Sequence, residues 1–357
     1  MQRLVMGVML VFLAGMPAAN AHAAPCSDCH TMHNSADGLP MRFDSGSSPL
    51  PLLLRGDCID CHTGLNTAAN LIPPKVYSTV APTYIWGNTS GGANTTLAGG
   101  SFYYVNTSDA YGHNVAENPV AGPDGTHNNT PPGGAALTGQ LQCAGTNGCH
   151  GDAAVDPAPL NSLDSAHHTN ATGASIDGST VAKSYRFLNG VLGWEDDDWE
   201  FTSSEIDHNR YVGQDRTLVP QVSSTTISGF CARCHGYFHN TTTGSGTAGI
   251  GYSGTFSSPW LRHPTDYDMA DLVGTEYDAY NTYDTRVPVA RTTATLSTGT
   301  NAQVGNDQGI ITCVTCHRAH GSPYYAALRW NYRAWPGADP LTSTVQAGCQ
   351  ICHTSKN

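Results

Sequence analysis

The chain has 357 residues, a formal net charge of -12 at pH 7, 12% charged residues, 39 glycines and 12 cysteines. This acidic composition argues against a nucleic-acid partner and against binding to anionic membranes. The chain also lacks the sustained apolar periodicity that would build an ordinary hydrophobic core of this length.

The first 23 residues predict a secretory signal peptide. Arg3 precedes an apolar run over residues 4–13, and small residues then form two A-x-A cleavage sites, ending at Ala21 and Ala23. The apolar run is too short to span a bilayer comfortably, so no membrane insertion is expected. We therefore predict a signal peptide over residues 1–23, one mature domain over residues 24–357, and secretion through the periplasm to the cell surface or extracellular space.

All twelve cysteines belong to six elements that end in Cys-His. Five elements have CxxCH spacing, whereas the third has five residues between its cysteines. The six elements are Cys26, Cys29 and His30; Cys58, Cys61 and His62; Cys143, Cys149 and His150; Cys231, Cys234 and His235; Cys313, Cys316 and His317; and Cys349, Cys352 and His353.

The spacing is typical of covalent haem attachment. Two cysteines one helical turn apart can form thioethers to two vinyl groups on one edge of a haem, and the adjoining histidine binds the iron. A zinc knuckle or a redox dithiol does not require a histidine directly after the second cysteine. We predict six covalently bound haem c groups, with residues 144–148 of the long element forming a bulged loop that still brings both sulfurs to one haem.

Six haems would replace a conventional core, because each is a large apolar body attached to the chain. The predicted fold is mostly irregular coil with short helices around the motifs and little regular sheet, in a single haem-packed unit. Further short helices are predicted at residues 269–275 and 324–330, and loops at 87–100 and 241–254. The acidic, aromatic segment 194–200 is predicted to be a solvated loop, with a cation site as the alternative.

The number of histidines favours electron transfer over catalysis. Of 16 histidines, six follow the cysteine pairs and His22 lies in or beside the signal peptide, so nine remain for six second axial positions. An iron held by two imidazoles has no open site for a substrate, so no enzymatic activity is expected. The nine candidates are His33, His113, His127, His167, His168, His208, His239, His263 and His320.

Spacing narrows these candidates further. His33, His239 and His320 each lie three or four residues after a motif histidine, so each should bind the iron of a different haem. His167 and His168 are adjacent, and only one of them is expected to bind iron. His127 and His208 stay open, as surface or hydrogen-bonding histidines are the alternative.

Six segments resemble, in the same order, the OmcS family of hexahaem extracellular cytochromes. They are CSDCHTMHNS from Cys26, GHNVA from Gly112, CARCHGYFHN from Cys231, LRHP from Leu261, CVTCHRAHGS from Cys313 and CQICH from Cys349. The resemblance implies bis-histidine haems in one continuous chain and head-to-tail electron-conducting filaments.

The resemblance also implies particular ligands. His33 would complete the haem held by Cys313, Cys316 and His317 of the next subunit, and His113, His239, His263 and His320 occupy other matching distal positions. The third motif departs from the family. In the family it is CxxCH with a distal histidine three residues later, whereas here Gly151 to Ala153 follow His150 and none of them is a histidine. His167 or His168 is then the expected substitute.

The sequence thus predicts an extracellular multihaem conductor whose partners are other copies of itself, outer-membrane electron donors and extracellular acceptors. A histidine near the mature N-terminus is well placed to reach outward, and a head-to-tail contact that does not close generates a filament. The alternatives are a monomeric periplasmic or surface electron shuttle and a multihaem reductase. Four arginines near the motifs could bind haem propionates or be ordinary surface residues: Arg233, Arg262, Arg318 and Arg329.

Overall fold

The computed structural model describes residues 26–86, 94–152, 154, 159–163, 176–215, 223–236, 265–269, 274–294, 309–332 and 348–354. All twelve cysteines are among them. The predicted signal peptide, the predicted loop at 241–254, His167, His168, His239, His263 and Arg262 lie outside the described residues.

Every described α-helix carries at least one cysteine of a CxxCH motif. The helices are α1 (Cys26–Cys29), α2 (Cys58–Cys61), α3 (Ile227–Cys231), α4 (Cys313–Cys316) and α5 (Cys349–Cys352). A helix of one turn has almost no stability of its own, because nucleation is unfavourable and few hydrogen bonds form. The prediction of short helices around the motifs is confirmed.

Side-chain caps help to define where these helices begin. Asp57 accepts hydrogen bonds from the backbone N–H groups of Ile59 and Asp60 at the start of α2, and the Asp60 side chain accepts one from the Asp57 N–H. At α3 the Thr226 hydroxyl accepts a hydrogen bond from Gly229 N at 3.0 Å. These caps satisfy N–H groups that a helix start leaves without partners.

The described β-structure consists of two-stranded pieces two or three residues long. Antiparallel pairs join β1 (Ser35–Ala36) to β2 (Leu39–Pro40), β5 (Gly193–Trp194) to β6 (Arg210–Tyr211), and β7 (Tyr267–Asp268) to β8 (Ile310–Ile311). The remaining pair is parallel and joins β3 (Gln142–Ala144) to β4 (Gly148–His150). The predicted scarcity of sheet is confirmed for the part of the chain that can be described.

Eight 3₁₀ helices complete the regular structure of the described residues. They are Pro51–Leu53, Phe102–Asn106, Asp109–Tyr111, Asn161–Leu163, Val181–Lys183, Tyr185–Phe187, Glu276–Ala279 and Tyr325–Ala327.

The continuous helix predicted at 324–330 is wrong, because only the short 3₁₀ segment Tyr325–Ala327 forms there. Ala326 and Ala327 have φ angles of 57° and 53°, in the left-handed region, so the chain makes a tight turn there and cannot continue as a helix. The helix predicted at 269–275 lies mostly outside the described residues. In the predicted loop at 87–100, residues 94–100 are described and form a turn closed by a bridge between Leu97 and Gly100.

Apolar side chains form three small clusters, each beside haem motifs. The largest contains Trp86, Met269, Tyr280, Tyr283, Val287, Val289 and Trp330, and it packs against Cys316, Cys349 and Cys352. A second contains Tyr185, Val191, Tyr211, Ile227, Ala290 and Ile310. The third contains Ile59, Tyr77, Phe102 and Val115 and packs against Cys143. Conventional packing is therefore local, and each cluster packs against residues in or beside a motif.

The acidic segment 194–200 is not the solvated loop that its composition predicts. Asp196 and Glu200 are only 3% and 2% exposed. Asp196 accepts a hydrogen bond from Glu200 N at 2.7 Å, and Glu200 accepts one from Asn209 N at 2.9 Å. Backbone donors contact both carboxylates, and the nearby Arg318 and Arg329 guanidinium groups offset part of the cost of burying Glu200.

None of the helices in the described part of the chain is both long and apolar enough to cross a lipid bilayer.

Candidate haem-binding site

One continuous cavity of about 2370 Å³ collects the predicted haem-binding residues. All twelve cysteines and all six histidines that follow them line it, together with His113, His127 and His320. Apolar side chains such as Phe102, Val115 and Leu328 form much of the remaining wall. Paired thiols, adjoining imidazoles and apolar walls are the donor set and surroundings that suit haem c.

The six motif histidines share one orientation. In each, the ring Nδ1 faces an oxygen atom at 2.7–3.1 Å. A proton on Nδ1 satisfies that contact and leaves Nε2 with a lone pair that can bind a metal. The partners of His30, His62, His150, His235 and His317 are the carbonyl oxygens of Leu52, Pro74, Arg186, Pro132 and Ala326, and the partner of His353 is a Glu276 carboxylate oxygen.

The first, third and fifth motifs use the same kind of turn to hold the histidine. Leu52, Arg186 and Ala326, whose carbonyls face the rings, all have positive φ angles. The next residue in each turn is also left-handed, and its carbonyl accepts a hydrogen bond at 2.8 Å from the N–H of the residue after the motif histidine. Two consecutive carbonyls therefore fix both the imidazole and the backbone beside it.

The second and fourth motifs use a different acceptor. Pro74 and Pro132, which face His62 and His235 at 2.7 Å, are each the second residue of a Pro-Pro pair. Proline keeps φ near -65° and has no N–H, so the carbonyl direction is well defined and no backbone donor competes for it.

Sequence reasoning missed these acceptors, although a signal was present. The pattern Ser-Pro-x-x-x-x-Leu-Arg occurs at residues 48–55 and again at 322–329, and in each copy its fifth residue supplies the carbonyl that faces a motif histidine. The final arginine also acts equivalently in both copies. Arg55 donates to Ser27 O at 3.2 Å and Arg329 donates to Val314 O at 2.7 Å, which are the second residues of α1 and α4.

Two of the four arginines named as propionate candidates are buried, whereas Arg233 is exposed and Arg262 lies outside the described residues. Arg318 and Arg329 are each 1% exposed. Arg318 donates to the carbonyls of Leu97 and Ala98, at 3.4 and 2.5 Å. Arg233 donates to Asn189 O at 2.9 Å. Arg329 lines the cavity, and its buried Nη1 has no hydrogen-bond partner within the described ranges.

In the long third motif a pair of short strands, and not a helix, brings the two cysteines to a similar separation. The parallel pairing of Gln142 with Gly148 and of Ala144 with His150 sets Cys143 opposite Cys149. Neighbouring strands lie about 4.8 Å apart, similar to the separation of side chains three residues apart on a helix. Both sulfurs therefore lie on one side of the strand pair, which is the arrangement that the predicted bulged loop requires.

Glycine is needed inside this loop. Gly145 has a φ of 84°, and a Cβ added at Gly148 would collide with the backbone of Ala144. Gly148 N donates to Gly145 O at 2.9 Å and closes the turn.

Consecutive motifs are neighbours in space. In each successive pair, a thiol of one motif interacts with a thiol of the next. The interacting pairs are Cys29 with Cys61, Cys58 with Cys143, Cys149 with Cys234, Cys231 with Cys313, and Cys316 with Cys352. The six motifs thus follow one another through the molecule in their sequence order.

Two distal candidates face motif histidines across the cavity. The ring centroids of His150 and His320 are 6.5 Å apart, and those of His113 and His235 are 6.0 Å apart. Two imidazoles that bind one metal from opposite sides, with nitrogen at about 2 Å from the ion, have centroids about 6 Å apart. Burial lowers the pKa of His113 and lowers that of His320 to about 3, so both rings are neutral and have a nitrogen lone pair.

The other described candidates differ. His33 is exposed, and neither it nor His208 is among the residues that line the cavity. His208 stacks on the Tyr283 ring with centroids 3.6 Å apart, and its Nδ1 lies 3.0 Å from Ser204 O. His127 lines the cavity without standing opposite a motif histidine in the described ring contacts.

The chain is similar in sequence to known cytochromes. Residues 303–357, which hold the last two motifs, match the family described as the doubled CXXCH motif. The chain is 26% identical over 411 aligned positions to the C-type cytochrome OmcS of Geobacter sulfurreducens, covering 94% of this chain and 88% of that protein.

The chain also resembles a solved structure in fold. The outer membrane cytochrome S filament from Geobacter sulfurreducens aligns with a TM-score of 0.51 and 18% identity, covering 93% of this chain and 98% of that one. A cryo-EM structure of the OmcS nanowires from the same bacterium aligns with a TM-score of 0.47 and 21% identity over 93% of each chain. In sequence and fold the chain therefore resembles the multihaem c-type cytochrome OmcS, and its CXXCH motifs bind haem c covalently.

Proposed function

We propose that this protein conducts electrons outside the cell along six bis-histidine haems and polymerises head-to-tail into a filament. The observation that carries the proposal is the single cavity lined by all twelve cysteines and all six motif histidines. A protein that binds separate cofactors for separate reactions would not require six attachment sites along one shared cavity.

The chain's own residues would attach, orient and insulate the cofactors. Haem iron supplies the one-electron change between Fe(III) and Fe(II). The cysteine pairs would hold one edge of each ring by thioethers, and His30, His62, His150, His235, His317 and His353 would each bind iron through Nε2. The backbone carbonyls or the carboxylate at Nδ1 keep each ring in that orientation.

The order of the motifs supports a continuous path. Because each motif interacts with the next one in sequence, haems held at the motifs would follow one another from the first to the sixth. Close consecutive haems are what transfer along the molecule requires, and a path that begins at one end and finishes at the other suits a conductor.

Closed coordination favours electron transfer over catalysis. We assign His320 opposite His150 and His113 opposite His235, on the ring separations of 6.5 and 6.0 Å. His239, His263 and one of His167 and His168 are proposed for other irons. An iron with imidazole on both faces leaves no position for a substrate, so a reductase is not favoured.

The first motif has the properties of a subunit contact. His33 is exposed, and Met32 and Leu39, close to it in sequence, are 88% and 68% exposed. Leu52, whose carbonyl faces His30, is 58% exposed. A group of exposed apolar side chains around a motif is unusual unless a partner covers it. We propose that a second copy of this chain does so.

The fifth motif supplies a matching site. Within the described ranges, no second histidine ring stands opposite His317 at the separation seen for His150 and His235. We propose that His33 of the neighbouring subunit takes that position, at the haem held by Cys313 and Cys316. Repetition of this head-to-tail contact would generate an open filament.

Arg329 would bind a haem propionate. Its Nε is occupied by Val314 O, while its buried Nη1 faces the cavity lining without a partner in the described part of the chain. A buried donor without a partner is costly, and a propionate oxygen is the haem group that would satisfy it.

Location and partners follow from the function. We propose that residues 1–23 direct export, because haem attachment to CxxCH motifs and use of an extracellular acceptor both require it. Outer-membrane proteins would supply the electrons and extracellular acceptors would receive them.

Electron microscopy of the haem-loaded protein, combined with its intact mass, tests the proposal. We expect filaments and a mass increment of six haems, with low-spin spectra throughout. Single subunits carrying six low-spin haems would instead identify an electron shuttle. A five-coordinate haem that binds carbon monoxide in the intact protein would identify a reductase.

A further inference from the structure

One of the six motif histidines has a charged hydrogen-bond partner, whereas the partners of the other five are neutral. Five face neutral backbone carbonyls, whereas His353 Nδ1 lies 3.1 Å from a carboxylate oxygen of Glu276. The two side chains are 13% and 10% exposed, so bulk water screens this contact poorly.

Several contacts hold Glu276 against the sixth motif. Glu276 begins the 3₁₀ helix Glu276–Ala279, whose N-cap Thr275 accepts a hydrogen bond from Tyr277 N at 3.4 Å. The Tyr277 ring packs edge-on against His353 with centroids 5.1 Å apart. Thr354, directly after His353, donates its hydroxyl to Glu276 O at 3.4 Å. The carboxylate is therefore placed by packing on both sides of the histidine.

We propose that Glu276 is a positioning residue that lowers the reduction potential of the sixth haem. The inference rests on the proposed function, because it concerns an iron bound by His353. A carboxylate accepts the Nδ1–H hydrogen bond more strongly than a carbonyl does, which makes the imidazole a stronger electron donor through Nε2. Its negative charge also favours Fe(III) over Fe(II), which has one positive charge fewer. Reduction adds one electron to iron and breaks no bond to the protein.

The position of this haem gives the effect a consequence for transport. The sixth motif is the last in the sequence-ordered series, and its neighbour is the fifth. A site that is harder to reduce at one end of each subunit would recur once per subunit in a head-to-tail filament. The potential along such a filament would then be periodic and not uniform.

The test is a spectroelectrochemical titration of the full haem-loaded chain carrying Glu276→Gln. The amide keeps an oxygen acceptor and removes the charge. We expect one of the six components to become easier to reduce by about tenfold in its equilibrium constant, about 59 mV for one electron, and the other five to stay in place. Asp278→Asn is the matched control, because Asp278 is exposed in the same turn and accepts from Gly274 N at 2.8 Å without contacting His353.

Six unchanged components in Glu276→Gln would overturn the proposal, as would equal shifts in Glu276→Gln and Asp278→Asn. If Glu276→Gln loads haem poorly, Glu276→Asp keeps the charge and must then retain the low-potential component, and its loss would also overturn the proposal. A wild-type protein with fewer than six haems, or with a five-coordinate haem, would contradict the proposed function instead. The haem count and spin state, measured before the titration, separate the two failures.

Discussion

Whether a histidine can bind a metal through one ring nitrogen depends on what its other ring nitrogen contacts. The motif histidines have that nitrogen committed to an oxygen, and His113 likewise has Nδ1 2.5 Å from Ala319 O. His208 has Nδ1 committed to Ser204 O, but its ring is stacked on Tyr283 and does not line the cavity. Hydrogen bonding at Nδ1 is therefore not sufficient, and access to the cavity separates the ligand candidates from a packed histidine.

This distinction predicts opposite results for two substitutions. His320→Ala should leave one of the six proposed irons without its second imidazole, so about one sixth of the haem should become five-coordinate and bind carbon monoxide. His208→Gln should leave every haem low-spin while lowering the thermal unfolding midpoint, because it removes a buried ring from its stacked partner. Optical spectra with and without carbon monoxide distinguish the two, and a fully low-spin His320→Ala protein would contradict the His150–His320 assignment.

At the scale of single elements, short helices and one strand pair both bring the two cysteines of a motif close together. The cysteine pairs of α1, α2, α4 and α5 lie at opposite ends of one helical turn, whereas Cys143 and Cys149 lie opposite each other on β3 and β4. The strand pair depends on a close approach of Gly148 to Ala144 that a side chain would prevent.

Gly148→Ala should therefore disturb the third motif specifically. Forcing a methyl group into this contact should cost about 1–3 kcal/mol of unfolding free energy, as overpacking typically does, and should reduce haem loading at Cys143 and Cys149. Gly125→Ala is the control, since an added Cβ there meets nothing within 4 Å. Thermal unfolding and intact mass measure both effects, and equal behaviour of the two variants would contradict the role of the strand pair.

For the whole molecule, the first question is assembly. His33→Ala should abolish filaments and leave one haem per subunit five-coordinate, because the proposed ligand would be missing from the next subunit. Added imidazole should restore the low-spin spectrum without restoring filaments, since it replaces the ligand and not the covalent link to the neighbour. Asp28→Asn, an exposed change on the same segment, should affect neither. Filaments of normal length from His33→Ala would contradict the intersubunit ligand.

Buried carboxylates make the stability of the molecule depend on pH. Burial and the neighbouring Asp198 raise the pKa of Asp196 from 3.8 to about 8, and burial also raises the pKa of Glu195 and of Glu200. The folded protein then retains protons that the unfolded chain releases near its lower pKa. The free energy of unfolding should therefore fall as pH rises from about 4 to about 8.

Asp196→Asn should weaken that dependence, because the amide cannot ionise yet keeps an oxygen to accept from Glu200 N. The variant should unfold at a higher temperature than the wild type at pH 8, with a smaller difference at pH 5. Asp177→Asn changes an exposed carboxyl whose pKa is lowered by hydrogen bonds from Ser179, so it should not reproduce this gain. Parallel unfolding curves for Asp196→Asn and wild type at both pH values would count against the burial argument.

The amino-acid sequence alone was sufficient to predict how haem is attached and that the fold is mostly irregular coil with short helices. Cysteine spacing and the histidine that follows are local features, and a chain with few charges and no apolar periodicity leaves little choice besides coil around large cofactors. The helix predicted at 324–330 failed because left-handed residues at Ala326 and Ala327 turn the chain toward His317, and such a turn depends on a distant partner more than on local propensity.

The tertiary structure, and not the sequence, determined which histidines face each other. His320 lies three residues from His317 in sequence but opposite His150 in space, and His113 lies opposite His235. The same holds for the one charged partner among six, since Glu276 is 77 residues away from His353. Axial pairing joins residues through the path of the intervening chain, so spacing in the sequence carries little information about it, whereas a covalent motif is complete within a few consecutive residues.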